Sequence, residues 1–489
     1  MRDRYTLSTS EGEGSHVKGL SVIGTTVFVI GEMTGTGVVT MPGAIKNTGW
    51  YGVIILIVAA VASGITGVQL GYCWDLLQEM WPQYRRQTRK PYQEMGFRVG
   101  GKPLSLTVSF CIIVTLAGSG VAFILLASEE ISYILQNFHV HFSTCYIMLI
   151  FYAVLLPLTW LGSPADYWWT AYFAMGSSQL AALLVVIGSA LDSPFYGHNI
   201  STPVNTTTTQ SAVATHSNPS FKSFVLGYGT IAFAYGGHSA FPNMQHDMKM
   251  PSKFWKAVLS AYVVILCVYL VNGLTGYGVY GDFLVGDFNG NVTGIIGTSA
   301  IRVIISILVT VHVFSCMIII INPVNQDVEE ILRVPKHFGI FRVLSRTAVF
   351  TLILFVAESI PQFGTLLSLI GSSTMTVLTY IFPGLFLLSL KRQRREYKRR
   401  KQVSTSSGIT IINPSEDNRF PELAAANGST IDDLESDAKS NIASSTSWWE
   451  VVANVIVILC GAAAAVSGTY AAVDAVIANF KLKPPCYLQ

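Results

Sequence analysis

Two clusters of glycine and ionisable residues in this chain could do chemistry, Gly31-Glu32-Met33-Thr34-Gly35-Thr36-Gly37 and Tyr235-Gly236-Gly237-His238-Ser239. Glycine lets a backbone leave helical geometry and lets a solute come close to it. Backbone amides around Thr34 to Gly37 can then donate hydrogen bonds to a carboxylate, helped by the positive end of a half-helix. Glu32 and His238 add one titratable group to each cluster, and proton binding is the default chemistry of an ionisable residue at membrane depth. Thr310, His312 and Ser315, farther along, are further candidates for an ion or proton site facing the same cavity. The competing reading is that Gly31-x-x-x-Gly35 is a face on which a neighbouring helix packs, that Glu32 braces loose amides and that His238 simply packs.

The elements that must position these residues are membrane helices. The chain has 489 residues, a mean hydropathy of +0.48 and 12% charged residues, against about 25% in a soluble protein. Apolar stretches of roughly 20 residues, enough to cross a bilayer, recur near 19–43, 51–78, 104–136, 146–162, 169–191, 223–243, 257–281, 299–321, 344–358, 363–389 and 449–478. The expectation is an all-α polytopic protein of about 11 transmembrane helices, the first and sixth broken by the two clusters. A break in lipid costs several kcal/mol per exposed backbone group unless it lines a cavity. A matched pair of broken spans points to the binding site of a membrane transporter.

Charge sets the expected orientation. Lys and Arg gather at 85–102, 249–256, 333–342 and 391–401, while 193–221 holds none. The positive-inside rule places the basic loops and the N-terminus in the cytoplasm. The sequons at Asn199, Asn205 and Asn291 fall in the basic-poor loops and are expected to be glycosylated. The organisation expected is a cytoplasmic tail at 1–17, a ten-helix core at 18–390 with a glycosylated loop at 193–221, a basic then disordered cytoplasmic linker at 391–446, an eleventh helix at 447–480 and a non-cytoplasmic tail at 481–489. The basic run 391–401 suits anionic headgroups or a plain stop-transfer anchor. Spans 1–5 and 6–10 are expected to form an inverted-topology repeat, because spans one and six enter from opposite sides.

The 7 cysteines include no CxxC and imply no metal. Cys145 and Cys486 are the two placed to meet in an oxidising compartment. Glu129 and Glu130 are read as interfacial. Net charge of +3 comes without a nucleic-acid patch, and no cofactor is implied. G-x-S-x-G, H-E-x-x-H and complete Gly-x-x-x-x-Gly-Lys-Ser/Thr patterns are missing, the string Gly96 to Lys102 being followed by Pro103, which argues against an enzyme. No filter-like loop or Arg-rich voltage-sensing helix suggests a channel.

Gly35-Thr36-Gly37-Val38-Val39-Thr40-Met41-Pro42 resembles the first-helix motif of the amino acid/auxin permease family. Tyr235 to Met244 resembles its sixth-helix motif, in particular that of the vacuolar and vesicular amino acid transporter branch. Gly276 to Asp282 and Ile381-Phe382-Pro383-Gly384 resemble its seventh- and tenth-helix signatures. The resemblance implies a LeuT-like 5+5 fold that moves amino acids, small or neutral ones, by alternating access, as a symporter coupled to protons or, in some branches, sodium. By position it implies that Thr34, Gly35, Thr36 and Gly37 hold the substrate carboxylate. Carbonyls of Phe233, Ala234 and Tyr235 would face its ammonium, and Gly236 and His238 would border the side-chain pocket. Several relatives carry Asn in the first-helix break where this chain has Gly31-Glu32-Met33, so protons are favoured over sodium here. A sensor of amino acids on the same fold, in a plasma or endolysosomal membrane, would present the same site; the sequence leaves the oligomeric state open.

Overall fold

The structure is a computed structural model that describes residues 19–85, 88, 90–160, 168–193, 214–284, 291–335, 337–360, 362–407 and 448–478. The helices are α1 (Val22–Thr48), α2 (Tyr51–Met80), α3 (Pro91–Asn137), α4 (Thr144–Thr159), α5 (Trp168–Asp192), α6 (Phe221–Ala234), α7 (Phe241–His246), α8 (Phe254–Tyr280), α9 (Ser299–Ile331), α10 (Ile340–Ser359), α11 (Phe363–Ile370), α12 (Phe382–Ser407) and α13 (Trp448–Ala478). Two π-helical stretches, Gly371–Met375 and Val377–Ile381, join α11 to α12. Among the described residues nine helical segments are long and apolar enough to cross a membrane, and α4 and α6 are shorter apolar helices. The protein is a multi-pass membrane protein.

Helices that are apolar nearly all round have no solvent face, so packing rather than amphipathic patterning decides their neighbours. The centre of the bundle is α1, which packs most extensively on α8 and also on α5 and α6, while α3 and α5 both pack on α9. Ser21 caps α1 by accepting from the Gly24 amide at 3.0 Å, and Gly49, at φ 63°, ends it. Ser220 caps α6 in the same way through the Ser223 amide at 3.1 Å. Such caps satisfy amides that a helix end leaves without partners.

Two boundaries differ from the sequence expectation. The third helix begins at Pro91 rather than near residue 104, because a short helical segment turns into it at Gly101, whose φ of 72° suits glycine. The larger difference is in α1, which was expected to be broken and is one continuous helix through Gly31–Gly37. Its amides are spent on its own helical bonds, and the hydroxyls of Thr34 and Thr40 donate back to the carbonyls of Ile30 and Thr36 at 2.7 and 2.8 Å. The sixth span is interrupted: α6 ends at Ala234, and the chain turns through residues 235–240 before α7 starts at Phe241.

Buried carboxylates tie one end of the bundle. Glu130 of α3, read as interfacial, is only 2% exposed. It accepts from Asn291 Nδ2 at 2.7 Å, Thr293 Oγ1 at 2.6 Å and Ser306 Oγ at 2.6 Å. A buried charge needs such a set of donors. Asp192 of α5 does the same for the Tyr280 hydroxyl and the Gly297 amide, each at 2.7 Å. The Asn291 amide nitrogen, the atom a glycan would occupy, is therefore buried against Glu130, which corrects the expectation for that sequon. Asn291→Gln is expected to leave the protein's electrophoretic mobility unchanged before and after glycosidase treatment; a shift would restore Asn291 as a glycan site. Asn199 and Asn205 lie outside the described residues, as do 1–17, most of the 391–446 linker and the 481–489 tail.

Cys145 is disulfide-bonded, while Cys73, Cys111, Cys267, Cys316 and Cys460 are free; Cys486 lies outside the described residues. In the basic run, Arg394 pairs with Glu79 of α2 at 2.7 Å, and Lys391 pairs with Glu450 of α13. Part of that run thus anchors α12 to neighbouring helices.

Candidate functional site

The α6–α7 break is the place where the membrane-spanning backbone is open. The amides of Gly237, His238 and Ser239 are not engaged by any backbone carbonyl among the described residues. Proline at position 242 accounts for part of the interruption, since it brings no N–H and disfavours helix just before it. Buried backbone donors without partners are rare and costly, so these three amides mark a place built to receive an acceptor.

The carbonyl side of the break is held by hydroxyls from α8. Tyr269 Oη lies 3.2 Å from the Ala234 carbonyl and 2.6 Å from the Met33 carbonyl of α1. Tyr262 Oη donates to the Tyr235 carbonyl at 3.0 Å. The Phe233 carbonyl accepts from the Gly236 amide at 3.1 Å. Of the three carbonyls expected to face an ammonium group, those of Phe233 and Tyr235 have donors, while that of Ala234 shares the single Tyr269 proton with the nearer Met33 carbonyl. Sequence reasoning did not single out Tyr262 and Tyr269. Their spacing of seven residues on α8 was the available signal, because it puts two polar tips on one face at membrane depth.

Two side chains of the break, through Tyr235 Oη and His238 Nδ1, and one of α1, through Glu32 Oε2, end in a buried polar atom without a hydrogen-bond partner among the described residues. His238 is completely buried, and its Nε2 lies 3.1 Å from Thr66 Oγ1 of α2. The Thr66 hydroxyl proton is directed to carbonyls of its own helix, at 3.0 Å from Ala62 and 3.1 Å from Ser63. Nε2 is then the protonated ring nitrogen, and Nδ1 is left as an acceptor. Glu32 lies within electrostatic range of Tyr262 and of Cys316.

The glycines of α1 serve a different purpose from the expected one. A Cβ at Gly35 would lie 1.5 Å from His312 Nε2, one at Gly37 would lie 2.2 Å from Tyr269 Oη, and one at Gly31 would lie 2.7 Å from the Ala171 carbonyl. They are notches that seat side chains and backbone of α9, α8 and α5. His312, also buried, has Nδ1 2.9 Å from the Ala174 carbonyl of α5. A carbonyl only accepts, so Nδ1 carries the proton and Nε2 faces the notch, 3.4 Å from Cys316 Sγ.

Of the expected site residues, Glu32, Gly35, Gly37, Phe233, Ala234, Tyr235, Gly236 and His238 come together around α1, α6 and the break. Thr34 turns to α5, with its hydroxyl 2.8 Å from Ser178 Oγ. Thr36 is buried in the continuous helix. Thr310 and Ser315 donate to carbonyls of their own helix, Ser306 at 2.8 Å and Val311 at 2.9 Å. His312 reaches α1 through the Gly35 notch.

A family model described as "Transmembrane amino acid transporter protein" matches residues 18–412. The chain belongs to this family. The match takes in both clusters and every helix that touches them. Among curated members, the chain is 26% identical over 379 residues to "Amino acid transporter AVT1B" of Arabidopsis thaliana, covering 75% of this chain and 64% of that protein. It is 26% identical over 378 residues to "Amino acid transporter AVT1E" of the same plant, covering 75% of this chain and 66% of that protein. The aligned part thus spans just under two thirds of those relatives' length. Among solved structures, "Crystal structure of MhsT in complex with L-phenylalanine" superposes with a TM-score of 0.52 at 10% identity, covering 94% of this chain and all of that one. This transmembrane amino acid transporter family member therefore has the LeuT-type fold.

Proposed function

We propose that the protein is a secondary active transporter of amino acids, small or neutral ones, that works by alternating access and is driven by protons. The observation that carries this reading is the interrupted sixth span, where the amides of Gly237, His238 and Ser239 have no backbone partner among the described residues and Tyr235 Oη and His238 Nδ1 are buried without one, as is Glu32 Oε2 on α1. An unsatisfied buried polar atom costs about 1–3 kcal/mol, and such atoms persist together where a polar solute supplies the missing bonds. Open amides at Gly237–Ser239 suit the carboxylate of an amino acid. Carbonyls of Ala234 and Tyr235 suit its ammonium once the Tyr269 and Tyr262 hydroxyls turn away. This moves carboxylate recognition from Thr34–Gly37 to the break itself, since the amides of continuous α1 are already bonded.

The two arms of the site come from helices that must slide for the solute to leave. Tyr269 links α1 to α6 through the carbonyls of Met33 and Ala234, so its hydroxyl senses both. Glu32 supplies the proton site, with His238 and His312 beside it. The N-terminus and the basic loops face the cytoplasm, and the membrane is the plasma membrane or an endolysosomal one.

The test is uptake by the purified protein in liposomes, with a panel of labelled neutral amino acids under imposed proton or sodium gradients. Accumulation of small neutral amino acids is expected when the loading side is acid. Accumulation that follows sodium alone would overturn proton coupling. Binding without uptake or counterflow would make the protein a sensor instead.

A further inference from the structure

We propose that Met375 sets the largest amino acid side chain that the α6–α7 break accepts. The inference rests on the transport reading above and concerns the same site. A Cβ built at Gly236 would lie 1.9 Å from Met375 Sδ, 2.3 Å from its Cγ and 2.6 Å from its Cε. The whole outer part of the methionine therefore occupies the space that Gly236 leaves open beside the broken backbone. Met375 is buried.

Its position follows from an irregularity in the tenth span. Gly371–Met375 is wound as π-helix, and Thr376 Oγ1 donates to the Gly371 carbonyl five residues back at 2.6 Å. The wide turn is seated by backbone contact between spans. A Cβ at Gly371 would lie 1.9 Å from the Gly229 carbonyl of α6, and one at Gly229 would lie 2.4 Å from Ser372 Oγ. With Gly371 pressed against α6 one turn above the break, the residue four positions on projects into the break itself. π-Helical turns inside membrane helices frequently mark functional sites.

Methionine suits a wall that must yield. It is unbranched, has three rotatable bonds and a polarisable sulfur, and fills irregular gaps without holding one shape. Facing an amino acid whose ends are fixed by backbone amides and carbonyls, such a side chain limits the substrate by volume. It offers no charge to pair with a charged side chain. Rejection by size alone is modest, on the order of 10–200-fold per methylene-sized difference, and the outcome is a graded preference.

The experiment compares wild type, Met375→Ala and Met375→Phe in proteoliposomes, using labelled L-alanine, L-leucine and L-phenylalanine under one pH gradient. Ratios of kcat/KM are taken within each protein, so differences in expression cancel. Met375→Ala is expected to raise the phenylalanine-to-alanine ratio by about tenfold, and Met375→Phe to lower the leucine-to-alanine ratio by about tenfold. Should one variant fail to fold, the other decides. Ratios within twofold of wild type in a variant that transports would overturn the role of Met375 and leave the transport reading intact. If the wild-type protein moves none of the three and none raises its Tm, the transport reading fails and the proposal falls with it.

Discussion

Gly35→Ala is expected to lose at least about tenfold in uptake and to show a lower Tm, although it adds only a methyl group. The new Cβ would lie 1.5 Å from His312 Nε2 and 1.9 Å from His312 Cδ2, so the ring must leave its seat. Overpacking of a filled interior costs about 1–3 kcal/mol. Leaving the seat also breaks the bond from Nδ1 to the Ala174 carbonyl, and a buried polar atom stripped of its partner costs about 1–3 kcal/mol more. A total of a few kcal/mol is a large share of a typical folding free energy. Two controls isolate the mechanism. Gly176→Ala, on α5, meets nothing within 4 Å and is expected to behave as wild type. The double variant Gly35→Ala/His312→Ser, which trades the ring for a small hydroxyl, is expected to regain part of the lost Tm. A Gly35→Ala protein with normal Tm and uptake would show that His312 does not occupy the notch.

That contrast also explains what could be read from the chain. The interruption of the sixth span was legible because Gly236, Gly237 and Pro242 act locally: they weaken helix whatever surrounds them. The run Gly31–Gly37 is as rich in glycine, yet it stays helical. What separates a notch from a break is the side chain that arrives, His312 from α9 or Tyr269 from α8, more than 230 residues away in sequence. Packing-face and broken-helix readings are written in the same letters, and only the partner decides. Asn291 makes the same point. A sequon is a local pattern, whereas burial of its amide against Glu130 depends on α3 and α9 closing over it. Met375 had no local signal at all, because its role depends on the register that π-helical winding imposes and on the absent side chain of Gly236.

Glu32→Gln is expected to separate movement of the substrate from its accumulation. Glu32 Oε2 is buried in the first span with no hydrogen-bond partner among the described residues. An ionised carboxylate there would carry a charge that nothing nearby compensates, and such a charge is expensive in the membrane interior. Met33, the next residue, packs against the break: a Cβ at Gly237 would lie 3.0 Å from Met33 Sδ. Glu32 itself is within electrostatic range of Tyr262, whose hydroxyl donates to the Tyr235 carbonyl at the break at 3.0 Å, so a charge on Glu32 would repel a carboxylate held there through a medium that screens poorly. Protonation removes that repulsion, so proton and substrate favour each other's binding, and by linkage the coupling is reciprocal. Glutamine keeps the shape and fixes the neutral form. Exchange of labelled for unlabelled amino acid should then continue near the wild-type rate, while uptake against a gradient should fall to the level seen without a pH difference, at any pH on the loading side. Wild type in the same vesicles should accumulate substrate several-fold more with acid on that side. If Glu32→Gln still concentrates amino acid under a pH gradient, the proton is carried elsewhere, and His238, whose Nδ1 is a buried acceptor left open at the break, becomes the residue to replace.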